Sequence, residues 1–114
     1  MDTKTLERLA KANAQLEAAL GYKYTLMYID EDWCLYRNLG NGYDIEINLK
    51  GTRRASLNAT VHVWQVRDQL KVIRSVEGIS DTETLRRVLR CVVNQTNRLA
   101  RERNKVYKPI RTAV

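Results

Sequence analysis

At 114 residues, with 44% hydrophobic and 29% charged side chains, the chain has the size and composition of one globular domain and is too short for two. Its longest apolar runs fall far below the ~20 residues needed to cross a bilayer, and it opens on a charged amphipathic pattern instead of a signal peptide, so a cytoplasmic location is expected. The formal net charge of +7 is uneven: residues 1–50 carry six basic and eight acidic side chains, residues 51–114 fourteen and five, which points to an anionic partner for the second half.

In chain order, Leu6, Leu9, Leu16 and Leu20 with Ala12 and Ala19 recur at helical spacing from Thr3 to Leu20, and Gly21 supplies a stop. Tyr22 to Ile29 and Trp33 to Asn38 are rich in aromatic and branched residues around Asp30-Glu31-Asp32 and predict a hairpin. Gly40-Asn41-Gly42 predicts a tight turn. Beyond it Tyr43, Ile45, Ile47 and Leu49 alternate strictly with Asp44, Glu46, Asn48 and Lys50, the pattern of a half-buried strand.

A basic turn, Gly51 to Arg54, leads to a fourth strand over Ala55 to Val66, where Leu57, Ala59, Val61 and Val63 alternate with polar or bulky neighbours. Leu70 to Val76 fits either period, and its valine and isoleucine content favours a fifth strand, ended by Gly78. Ser80 with Glu83 matches a capping box for a last helix over Asp81 to Arg103, with Leu85, Val88, Leu89, Val92, Thr96 and Leu99 down one side. The expectation is an α+β fold, an antiparallel sheet of four to five strands with the N- and C-terminal helices on one face. Residues 1–104 form the single domain and 105–114 a basic, mobile tail.

The distinctive constellation is on the last helix. At ~100° per residue, Arg86, Arg87, Arg90, Arg98 and Arg101 fall together with Asn94 and Asn97, opposite the apolar stripe. Only Glu83 and Glu102 lie within reach to neutralise them, and Arg86 and Arg90 repel each other at i, i+4. Arginine outnumbers lysine thirteen to seven in the chain, and its planar fork suits bidentate contact with phosphate. These residues, extended by Arg53 and Arg54, make nucleic acid the expected partner. The α-β-sheet-α order with Arg86, Arg87 and Arg90 early in the last helix is loosely similar to double-stranded RNA-binding domains, from which it departs by two extra strands and by lacking their lysine-rich helix start.

The other expectation from the same face is a protein-interaction or inhibitory module, of the phage or mobile-element kind, set against an acidic protein surface or a partner's nucleic-acid channel. Self-association of the acidic half with the basic half is a third. A membrane partner is not expected, because the helix's apolar side is needed for the core.

Catalytic readings find little support. His62 is the only histidine and has no nucleophile at a suggestive spacing; Cys34 and Cys91 lack CxxC spacing; no Gly-rich phosphate loop or HExxH pattern occurs. Asp44 and Glu46 share a strand face and faintly resemble the acid-acid-lysine strand of metal-dependent nucleases, with Asn48 where that motif wants lysine. No enzyme activity, metal or cofactor is expected.

Overall fold

The computed structural model describes residues 3–29, 32–49 and 57–107. The elements run α1 (Thr3–Ala19), β1 (Thr25–Ile29), β2 (Asp32–Asn38), β3 (Tyr43–Leu49), β4 (Ala59–Gln65), β5 (Lys71–Ile79) and α2 (Thr82–Tyr107). The strands form one antiparallel meander in sequence order, β1-β2-β3-β4-β5, as adjacent-strand connections favour. The expected α+β class, five strands and flanking helices are all present. Arg53 and Arg54, expected to extend the cationic surface, lie outside the described residues.

Register explains which residues enter the core. Leu35 pairs with Ile47 and Ile47 with Val61; Ile45 pairs with Val63 and Leu49 with Ala59. The period of two turns all of them to one face, where each is at least nine-tenths buried. Leu9 and Leu16 of α1 and Leu85, Leu89 and Val92 of α2 are buried too, and most of these close the same cluster. The helices divide the face, α1 against β1, β2 and β3, α2 against β4 and β5. No helix among the described residues is long and apolar enough to cross a membrane.

Three local features differ from the sequence expectation. Gly78 does not end β5. It lies within the strand at φ +69°, where the register slips between Ala59/Ile79 and Val61/Val76, so it is the glycine of a bulge. A second slip between Val63/Arg74 and Trp64/Val72 breaks the alternation again. Val76 and Ile79 therefore reach the core, whereas Leu70, Val72 and Ile73 are exposed.

The start of α2 is capped by Asp81, not Ser80. The Asp81 Oδ1 accepts the Thr84 amide at 2.7 Å and its Oδ2 the Thr84 hydroxyl at 2.8 Å. These bonds from Thr84 hold the Asp81 carboxyl below its ordinary pKa. At the other end α2 continues to Tyr107, past the end expected at Arg103, and residues 108–114 of the expected tail lie outside the described residues.

Candidate anion-binding surface of the last helix

The polar side of α2 divides into residues that fasten the helix and residues that do not. Arg86 belongs to the first set. At the end of α1 the Gly21 amide bonds the Ala18 carbonyl (3.0 Å) and the Tyr22 amide bonds the Glu17 carbonyl (3.0 Å). Gly21 and Tyr22 both adopt positive φ, so this is a Schellman turn. The Ala19 carbonyl is left over, and Arg86 Nη2 donates to it at 2.9 Å across the interhelical gap. A cation at a helix C-terminus is favoured by the helix dipole as well. Arg86 also stands 3.7 Å from Glu83.

Asn97 is likewise engaged. Its Oδ1 accepts Asn41 Nδ2 at 2.8 Å, and the same amide reaches Thr96 Oγ1 at 3.2 Å, tying α2 to the β2–β3 turn. Further ties are Arg74 Nη1 to Gln95 Oε1 (2.6 Å) and the ion pair of Arg103 with Asp68 in the β4–β5 turn. The helical wheel grouped Arg86 and Asn97 with the free face because it sees one helix and not the neighbours it packs against.

Arg87, Arg90, Asn94, Arg98 and Arg101 make up the second set. All are exposed. Among the described residues none of their side chains forms a hydrogen bond or ion pair. Guanidinium groups so placed can make bidentate contacts without first breaking an internal bond. Arg87 and Arg90 flank the first turns and Arg98 and Arg101 lie 11 residues further on, about 16 Å along the axis at 1.5 Å per residue.

Beside this strip lies a groove of about 520 Å³ between the end of α1, the start of β1 and α2. Lys23, Arg37, Arg86 and Arg90 line it, with no acidic residue among the lining side chains; Leu20, Leu89 and Val93 supply an apolar part. Tyr24, also in the lining, is 4% exposed, and its sealed hydroxyl has no hydrogen bond of good geometry. Burial raises its pKa, partly offset by Arg37, whose guanidinium carbon is 5.6 Å from the ring centroid. Lys23 and Arg37 do not figure in the sequence expectation, and Tyr24 stands there only among the strand aromatics able in principle to stack bases. All three are separated in sequence from α2, and only the pairing of β1 with β2 brings Tyr24 and Arg37 together.

The opposite face of the sheet has the reverse character. Asp44, Glu46, Tyr36, His62 and Trp64 occupy it. Tyr36 donates its hydroxyl to Asp44 Oδ2, Trp64 Nε1 donates to Glu46 Oε2 at 3.1 Å, and His62 Nδ1 lies 2.8 Å from Ser75 Oγ. Asp44 is 6% exposed with its Oδ1 unbonded. Burial first, and then the Asp44 carboxylate, pushes the Tyr36 phenol up to about 12. Of the sheet's aromatics Tyr24 and Tyr43 are buried, and Tyr28 packs on Trp33 at 5.2 Å between ring centroids. Among the described residues no group of three or more His, Cys, Asp or Glu side chains is disposed to hold a metal ion.

Comparison of the chain with protein-family models, with curated proteins and with solved structures found no match.

Proposed function

We propose that this protein is a small, non-enzymatic binding module that uses the free arginines of α2 to grip a polyanion, with nucleic acid as the partner. The observation that carries the reading is the division of labour on α2. Arg86, Asn97 and Arg103 are engaged by the rest of the fold, yet Arg87, Arg90, Arg98 and Arg101 remain exposed and, among the described residues, form no hydrogen bond or ion pair, Asp81 feeling Arg87 only through space. Glu83 and Glu102 stand at i, i+4 from Arg87 and Arg98, but among the described residues neither forms an ion pair with them, and Arg90 and Arg101 have no acid at that spacing, where a helix selected only for stability would place one. The acidic character of the opposite sheet face, with Asp44 and Glu46, orients a phosphate backbone toward the helical side.

Four phosphate contacts, one per free arginine, predict a log–log salt slope of about −3 to −4. Between about 50 and 200 mM salt the affinity for a duplex should then fall on the order of a hundredfold. Fluorescence anisotropy with a labelled duplex and a labelled single strand measures it. The double variant Arg90→Glu with Arg98→Glu, shown to be folded by circular dichroism, should lose most of the binding. An affinity that ignores salt, or survives the double charge reversal, sinks the reading. An acidic protein partner instead would be captured from nuclease-treated extract by the native protein and not by the double variant.

A further inference from the structure

The groove beside α2 has a composition that the strip does not. Four cations, Lys23, Arg37, Arg86 and Arg90, surround an apolar patch of Leu20, Leu89 and Val93, and no carboxylate lines the space. Its volume of about 520 Å³ is within the range of pockets that hold small molecules. A polyanion backbone alone would need no apolar patch and no concavity; a phosphate attached to a flat, weakly polar body uses both. Arg90 and Asn94 line the groove and also belong to the exposed strip, so the two surfaces are continuous. Tyr24 supplies a buried aromatic ring and a hydroxyl without a good partner at the groove wall.

We infer that this groove is a binding site for a nucleoside 5′-monophosphate, taken either as a free nucleotide or as the phosphorylated 5′ end of a strand lying along α2. The phosphate meets Arg37, Arg90 and Lys23, and the base lies over Leu20, Leu89 and Val93. Arg86 contributes charge from its position against the Ala19 carbonyl. The choice of a nucleotide rests on the nucleic-acid reading of the strip, but the residues tested are different. Lys23 and Arg37 belong to the groove and lie outside α2.

The test is calorimetric titration of the full chain with adenosine 5′-monophosphate, adenosine and inorganic phosphate. The monophosphate should bind saturably and at least about tenfold more tightly than either fragment, since one uses only the apolar patch and the other only the cations. Lys23→Gln with Arg37→Gln should weaken it about tenfold or more, whereas Arg98→Gln with Arg101→Gln should leave it within about twofold. A 5′-phosphorylated oligonucleotide should outbind its 5′-hydroxyl counterpart if the strand end is the source; equal binding of the two with tight free nucleotide assigns the site to the free nucleotide.

No saturable binding of the monophosphate, adenosine binding as well as the monophosphate, or insensitivity to the Lys23 and Arg37 changes overturns the inference. If duplex binding persists in those cases, the strip reading stands and only the groove falls. If the monophosphate binds and the duplex does not, the groove stands and the strip reading falls.

Discussion

Replacing Arg86 with alanine should weaken the fold, although helix propensity alone would make the change neutral or slightly favourable. The loss arises at the far end of its side chain. Nη2 serves the Ala19 carbonyl at 2.9 Å, which the Schellman turn that closes α1 leaves unbonded. A hydrogen bond from a charged donor is worth ~1.5–3 kcal/mol when well shielded. The Arg86 side chain is 47% exposed, so the value is discounted to about 1 kcal/mol. The dipole of α1 adds ~0.3–1 kcal/mol, and relief of the repulsion between Arg86 and Arg90 at i, i+4 returns ~0.2–0.5 kcal/mol. The exposed pair with Glu83 changes little.

The balance is a destabilisation of about 1 kcal/mol, or roughly 4 °C in Tm for a domain of this length. Thermal melts followed by circular dichroism, with urea titrations to confirm an unchanged m-value, measure it. Arg90→Ala, four residues away and without an internal partner, is the control and should stay within about 0.5 kcal/mol of the parent. If Arg86→Ala is no less stable than Arg90→Ala, the division of α2 into fastening and free arginines is refuted.

Tyr36→Phe removes the hydroxyl bonded to Asp44 and leaves a buried carboxylate whose other oxygen already has no partner, a loss of ~1–3 kcal/mol visible as a lower urea midpoint at neutral pH. Because the folded Tyr36 phenol titrates at about 12, above its ordinary value, its contribution is full below about pH 10 and is lost as pH rises toward about 12. The parent should thus lose stability across that interval more steeply than Tyr36→Phe, and parallel curves would show that another group controls the alkaline limb. The two cysteines should separate in thiol labelling at about pH 8. Cys91 is exposed and should react at once, while Cys34 is buried, with its thiol pushed up to about 11 by burial and by Glu46 and Asp32, and should react only on unfolding. Equal labelling rates in the folded state would contradict the placement of Cys34 on β2.

The strict alternation of Tyr43, Ile45, Ile47 and Leu49 determined a strand, its buried face and the exile of Asp44 and Glu46 to the opposite side, because a period of two admits one arrangement once one face is buried. Gly21 after α1 and Gly40-Asn41-Gly42 before β3 were equally readable, since positive φ is a property of single residues. β5 was harder. Gly78 marks one of its two register slips, but nothing in the run from Leu70 to Ile79 marks the other, between Arg74 and Val72.

The same limit applies to the site. Periodicity collected seven polar residues on one side of α2, and that grouping is local. Which of them are free was decided by the Ala19 carbonyl at the end of α1 and by Asn41 in a turn 56 positions from Asn97. Lys23, Tyr24 and Arg37 joined Arg90 at the groove only because β1 pairs with β2 and α1 ends beside α2. Backbone dihedrals and side-chain period act over a few residues, so elements and faces are written in the chain; partners and concavities depend on where elements pack, and only the assembled fold fixes that.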